Sequence, residues 1–172
     1  ADAEGLIRTF NALLSIAQAE AGNHRDRWQA VDLTALVQDL AELYEPAAEQ
    51  RQQRLRLELD ACCPVSGSRD LLAQAIGNLL ENAYKHAMRT VRVHAQRQGR
   101  ELQIDIEDDG KGIPKGDMSR LLQRGERADQ RSPGEGIGLA VANEIVHQYG
   151  GAMSIHDSAL GGALFRVVLP VG

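Results

Sequence analysis

The sequence contains no run of about twenty apolar residues, the length an α-helix needs to cross a bilayer, so none of its 172 residues is expected to span a membrane. A signal peptide is missing as well. Cysteine is scarce: Cys62 and Cys63 are adjacent, and neighbouring residues cannot close an ordinary disulfide without strain, so both read as reduced packing residues. No spaced Cys/His set points to zinc. Basic side chains are outnumbered, 19 against 24 acidic ones, for a formal charge of -5. A general nucleic-acid binder gains most of its affinity by neutralising phosphates with basic groups, so nucleic acid is not an expected partner. Repeats and low-complexity tracts are also absent.

What is present is globular: 43% hydrophobic and 25% charged residues, in a length that suits one compact domain with a short appendage. The chain opens Ala1-Asp2-Ala3-Glu4 without an initiating Met, so a fragment or processed product is expected, with any membrane segment upstream.

Leu6, Phe10, Leu13, Leu14 and Ala17 recur at helical spacing between Gly5 and Ala21, with Gly22-Asn23 as a stop. Polar residues from Asn23 to Arg27 read as a linker, and Trp28 to Asp32 as a short strand. A second helical period runs from Leu33 to Tyr44, and Leu55, Leu57 and Leu59 alternate as in a half-buried strand. After a break at Pro64 to Gly67, Ser68 is placed to cap a helix reaching about His86. Thr90 to Arg97 and Leu102 to Glu107 predict a hairpin, and Ala152 to His156 with Ala163 to Leu169 a second one. Between them, Asp108 to Gly138 is rich in Gly, Pro and charge and reads as a functional loop or lid. Ile137, Val141, Ile145 and Tyr149 mark the helix that follows, stopped by Gly150-Gly151.

On a helical wheel, Leu72, Ile76, Leu79, Leu80, Ala83 and Ala87 fall within roughly one third of the circumference and predict the core face. Asn78, Glu81, Asn82 and Lys85 gather opposite. A solvated face accounts for such a cluster by itself. Asn is nevertheless a poor interior helix residue, and two of them stand one turn apart. Their amide oxygens suit Mg²⁺, which keeps waters and is completed by nucleotide phosphates, and Lys85 is placed to reach phosphate oxygens.

Two glycine loops follow. In Asp108-Asp109-Gly110-Lys111-Gly112-Ile113-Pro114, Gly110 and Gly112 would let a flat ring approach the backbone, and Asp108 is the candidate acceptor for the exocyclic amine of adenine. In Pro133-Gly134-Glu135-Gly136-Ile137-Gly138-Leu139, glycines lead into a helix whose N–H groups suit phosphate. Glu135 beside a triphosphate requires an intervening cation, so it is expected near Mg²⁺. Arg124, Arg127 and Arg131 are candidates for neutralising phosphate charge.

In this order, Asn78-Leu-Leu-Glu-Asn82-Ala-Tyr-Lys85-His86, Asp108-Asp-Gly110-Lys-Gly112, Gly134-Glu-Gly136-Ile-Gly138-Leu and Gly161-Gly162-Ala163 resemble the N box and glycine boxes of the histidine kinase branch of the superfamily containing DNA gyrase B, Hsp90 and MutL. The lid run from Arg124 to Gly136 looks most like that of PhoQ-type kinases, with Leu121-Leu122 in place of the usual phenylalanine-rich segment. The resemblance implies an α/β two-layer sandwich, helices on one face of a mixed β-sheet in the Bergerat-type ATP-binding fold. It implies ATP held by Asn78, Asn82, Lys85, His86, Asp108, Gly110, Gly112 and Ile113, and by Arg127, Arg131, Gly134, Gly136, Ile137, Gly138 and Leu139. Mg²⁺ would lie by Asn78, Asn82 and Glu135, with Lys85 and Arg131 catalytic. His86 replaces the commoner aromatic residue of the family.

Hydrolytic members resemble Glu-x-x-x-Asn, where the Glu prepares water; here Asn78 occupies that place. The implied activity is therefore a protein-histidine kinase, with a serine kinase or ATPase and a non-catalytic nucleotide sensor as alternatives. Residues 1–22 resemble the end of the second helix of the dimerisation and phosphotransfer domain, 23–30 a linker, and 31–172 the catalytic domain. None of His24, His86, His94, His147 and His156 has the context of a phospho-acceptor, so the acceptor is expected on the missing part of that dimerisation domain. The implied partners are that domain and a response regulator. This part of the chain is expected in the cytoplasm without direct membrane contact, below a parent in the bacterial inner membrane.

Overall fold

Alternation along the strands decides which way the sheet faces. The computed structural model describes residues 29–60, 64–114 and 135–171. In chain order they form β1 (Gln29–Asp32), α1 (Leu33–Gln50), β2 (Arg54–Leu59), β3 (Pro64–Gly67), α2 (Arg69–His86), β4 (Thr90–Gln98), β5 (Glu101–Asp108), α3 (Glu135–Gln148), β6 (Ala152–Asp157) and β7 (Ala163–Pro170). Val91, Val93 and Ala95 on β4, Leu102, Ile104 and Ile106 on β5, and Phe165, Val167 and Leu169 on β7 occur at every second position and are all buried. They form one core with Leu72, Ile76, Leu79, Leu80 and Ala83 of α2 and Val141, Ile145 and Val146 of α3.

The main sheet has five strands in the order β2-β4-β5-β7-β6. β2 runs parallel to β4, and the remaining neighbours are antiparallel. Both expected hairpins are present, β4–β5 and β6–β7, and the whole is the expected sandwich of helices on a mixed sheet. The face away from the helices is polar, with Arg92, His94, Asp105, Glu107 and Arg166 at the alternate positions. Arg166 Nε donates to Asp105 at 2.9 Å across the β5–β7 pair, so the charges there are matched rather than merely solvated.

Three local features differ from the expectation. Pro64–Gly67, read as a break, is strand β3, paired antiparallel with β1 so that buried Val31 lies opposite buried Val65. With one inward apolar residue, a four-residue strand leaves too little periodicity to detect. Helix α1 continues past Tyr44 and through Pro46 to Gln50, burying Ala48. Helix α3 begins at Glu135, so Gly136 and Gly138 lie within its first turns rather than ahead of it.

The ends of the helices are fixed by side chains. Asp32 Oδ1 accepts from Ala35 N–H at 3.3 Å and Ser68 Oγ from Leu71 N–H at 3.4 Å, as N-caps do. Tyr149, just beyond α3, closes a longer link: its hydroxyl accepts from Ser68 N–H at 2.7 Å and donates to the Ser68 carbonyl at 3.2 Å. The ring lies where a Cβ on Gly67 would fall, so only glycine allows the approach. Burial pushes the Tyr149 hydroxyl pKa up, against the hydrogen bond with Ser68 that lowers it. Tyr149→Phe leaves the Ser68 N–H without this partner, the Ser68 carbonyl keeping Leu72 N–H, and is expected to cost about 1–3 kcal/mol, read as a lower urea midpoint at unchanged slope.

Candidate functional site

The wheel grouping of α2 holds, but its polar side is not one environment. Asn78 uses both ends of its amide: Gln74 Nε2 donates to its Oδ1 at 3.3 Å, and its Nδ2 donates to the Gly138 carbonyl at 3.2 Å. It thereby joins α2 to the first turns of α3. Asn82, one turn on, is buried, at 9% exposure, because α3 lies alongside α2. Its amide has no hydrogen bond among the described residues. Of the two asparagines, Asn82 thus has the uncommitted oxygen. Lys85 and His86 are exposed at the end of the helix. That end is held by Gln53, whose Nε2 donates to the Tyr84 and Ala87 carbonyls at 2.9 and 3.0 Å.

Asp108 ends β5 and is almost wholly buried, at 1% exposure. Strand alternation puts it on the helix side of the sheet with Ile106. Its Oδ1 accepts from Gly110 N–H at 2.9 Å, and its own carbonyl accepts from Gly162 N–H at 3.1 Å. Two glycines make room for it. A Cβ on Gly110 would strike the His86 carbonyl, and a Cβ on Gly162 would strike the Asp108 carboxyl. Gly112 serves a different need: its φ of +78° is left-handed backbone, and it faces the Gly161-Gly162 backbone. Burial pushes the Asp108 pKa up; the N–H groups of Gly110 and Ala163 and the nearby His86 pull it down, and Asp109 pushes it up again.

Asp109 has the same side chain and the opposite role. Slight burial raises its pKa, but the backbone N–H groups of Arg89, Thr90 and Met88 outweigh that and hold it low. Met88 N–H donates at 2.8 Å and Arg89 N–H at 3.0 Å to Oδ1. Asp109 therefore ties the turn after α2 to the glycine loop, which places His86 beside Gly110. In the sequence Asp108 is the candidate acceptor and Asp109 carries no expected role. Nothing in the spacing distinguishes them except strand alternation.

Ile113 is half-buried and packs against the core, and Leu139 is buried within it at 2% exposure. Gly138 is half-buried on α3, where its carbonyl meets Asn78. Glu135, Gly136 and Ile137 form the first turn of α3, whose N–H groups have no partner within the helix. Arg124, Arg127, Arg131 and Gly134 lie outside the described residues. The structure therefore brings together Asn78, Asn82, Lys85, His86, Asp108, Gly110, Gly112 and the start of α3. The outcome is a buried acid with glycine walls, beside a helix bearing an uncommitted amide.

Residues 67–172 match the family of histidine kinase-, DNA gyrase B-, and HSP90-like ATPases. The chain is 37% identical over 153 residues to the two-component sensor PhoQ of Pseudomonas aeruginosa, a match covering 89% of this chain and 33% of that protein. The chain thus spans about a third of the length of that curated relative. Its structure is similar to that of full-length ShkA in complex with AMPPNP, with a TM-score of 0.82 at 23% identity, over 96% of this chain and 35% of that one. It is also similar to the ATP binding domain of PrrB from Mycobacterium tuberculosis, with a TM-score of 0.70 at 27% identity, over 84% of this chain and 98% of that one. The sandwich fold thus has its counterpart in known proteins, and the chain belongs to the histidine kinase-, DNA gyrase B- and HSP90-like ATPase family.

Proposed function

We propose that this chain is the Mg-ATP-binding catalytic domain of a two-component sensor histidine kinase. It presents the γ-phosphoryl to a histidine on the dimerisation domain of its parent, from which the group passes to an aspartate of a response regulator. The observation that carries the reading is Asp108: a carboxyl at 1% exposure, with no ion pair among the described residues and glycine on both sides. Beyond the N–H groups of Gly110 and Ala163, its acceptor lone pairs can take a further donor, one that a ligand supplies. The exocyclic amine of adenine is such a donor. PhoQ-type relatives and the AMPPNP complex of ShkA support the same reading.

The polyphosphate then lies toward α2. Asn82 offers its free amide oxygen to Mg²⁺, with Asn78 and Glu135 flanking it, and phosphate oxygens and water complete the shell. The ion supplies charge neutralisation at the phosphates. Among the described residues no cluster of three acidic, His or Cys side chains forms a self-sufficient metal site, in keeping with a cation that arrives with its nucleotide. Lys85, at the exposed end of α2, reaches phosphate oxygens, with Arg127 and Arg131 acting from the lid at the γ-phosphate. Asn78 supplies no general base for water. Its amide is already engaged with Gln74 and Gly138, so the γ-phosphoryl is kept for a protein acceptor.

In this reading residues 1–22 end the second helix of the dimerisation domain, 23–30 connect, and 31–172 act as the catalytic domain. The fragment works in the cytoplasm under a parent in the inner membrane. Among the described residues no helix is long and apolar enough to cross a bilayer.

With γ-labelled ATP the chain alone is expected to remain unlabelled, and a separately supplied dimerisation domain to acquire acid-labile phosphate. Acid-stable label would instead make this a serine kinase, free phosphate an ATPase, and tight binding without any transfer a nucleotide sensor. Asn82→Ala should weaken ATP binding about tenfold or more in Mg²⁺ and barely in chelator; equal loss in both removes its metal role. Because the Asp108 pKa is raised, its carboxylate takes up a proton at higher pH than an ordinary aspartate, near 3.9. ATP affinity should therefore be level at neutral pH and decline as pH falls through that raised value, while Asp109 stays ionised. Calorimetric titrations between about pH 7.5 and about pH 4.5 check this, and Asp108→Asn should flatten the profile.

A further inference from the structure

Glu107 is a buried acid that the nucleotide cannot reach. It adjoins Asp108 on β5, so its side chain points through the opposite face of the sheet. At 3% exposure it is nonetheless nearly as buried as Asp108. Its two oxygens divide their work. Oε2 accepts from Arg92, at 2.8 Å from Nε and 2.7 Å from Nη2, and Arg92 also lies 3.6 Å from Glu58. Oε1 accepts from the hydroxyl of Ser158 at 2.8 Å, a bond buried at both ends.

Ser158 begins the turn between β6 and β7, and it holds that turn together. Its hydroxyl oxygen accepts from Leu160 N–H at 3.0 Å, its N–H donates to the Gly162 carbonyl at 2.8 Å, and its carbonyl accepts from Gly161 N–H at 3.0 Å. The far end of the turn is pressed on the nucleotide side: Gly162 N–H donates to the Asp108 carbonyl, and the Gly162 Cα sits so close that a Cβ would strike the Asp108 carboxyl and Gly110 N. Gly112 packs against the same turn. A continuous set of short bonds thus runs from Glu107, around Ser158, to the wall of the Asp108 pocket.

We propose that Glu107 and Ser158 are positioning residues, a clasp behind the sheet that seats the 158–162 turn against Asp108 and so sets how well the site distinguishes adenine from a base without its exocyclic amine. The proposal rests on the reading of Asp108 as the adenine acceptor. Glu107 and Ser158 touch no nucleotide; they act by holding the Gly162 wall in place, which fixes the angle from which the carboxyl meets the amine. The arginine end of the clasp anchors Glu107 to the polar face, and the serine end carries the placement across to the site.

The experiment compares Mg-ATP with purine riboside triphosphate, which is the same nucleotide without the amine, by calorimetry on the intact chain. Ser158→Ala should weaken ATP binding about fivefold to tenfold while moving the analogue less than about twofold, so that the preference between them collapses. Ser158→Thr, which restores the hydroxyl, should recover the preference. A purely structural role would lower the melting temperature and weaken both nucleotides alike, and that outcome overturns the proposal, as does an unchanged ratio. Should Ser158→Ala fail to fold, Ser158→Cys is read against the same ratio, since it keeps the volume with a much weaker donor. Asp108→Asn serves as the reference. If it keeps the preference for ATP, both the clasp and the adenine reading fail; if it loses the preference while Ser158→Ala keeps it, the clasp alone fails.

Discussion

Keeping one carboxyl buried on backbone donors constrains much of this molecule. Placing an acid at 1% exposure costs free energy unless donors surround it. The protein supplies those donors from backbone rather than from arginine or lysine. Backbone donors need close approach, which explains glycine at 110 and 162, on opposite sides of the same side chain. Close approach in turn needs loops held from behind. Asp109 fixes the turn after α2 through Met88 and Arg89, and Ser158 fixes the turn after β6. The result is a buried polar group whose rigidity is borrowed from its surroundings.

The sheet separates two kinds of chemistry by parity alone. Odd positions on β5 carry Asp105 and Glu107 into a matched ionic layer with Arg166 and Arg92. Even positions carry Leu102, Ile104 and Ile106 into the core and end on Asp108. A one-residue slip in the β4–β5 register would exchange the two sets, so the long hairpin from Val91 to Asp108 also places the site. The helices add a second constraint. α3 is joined to α2 at its start by Asn78 and Gly138, and beyond its end by Tyr149 and Ser68.

Much of this was legible in the sequence where a periodic pattern or a motif of several residues existed. The two hairpins, the core face of α2 and the glycine loop after Asp108 follow from patterns that involve five or more residues, and the Ser68 cap from its place just before a helical period. What escaped depends on pairs distant in sequence. β3 contributes one inward valine and is defined by its pairing with β1, more than thirty residues away. Asn78 and Asn82 look alike on a wheel, yet one is bound to Gly138 and the other has no hydrogen bond among the described residues, because the packing of α3 against α2 is not written in α2 itself. Asp108 and Asp109 are adjacent and identical, and strand alternation sends one into the helix side of the sheet beside Gly162 and the other to the N–H groups of Met88 and Arg89.

The parallel pairing of β2 with β4 has a consequence for how the site comes into being. The β4–β5 and β6–β7 pairs close through short turns, whereas β5 and β7 meet across α3 and β6, and β2 and β4 are joined by a crossover that includes β3 and the whole of α2. Such a pairing carries a large loop-closure cost and forms late relative to local hairpins. The helix bearing Asn78, Asn82 and Lys85 lies inside that crossover, while Asp108 lies in a hairpin that can form early. Nucleotide competence therefore depends on pairings distant in sequence and not on the local hairpins alone, so a chain able to hold ATP is one that has completed them.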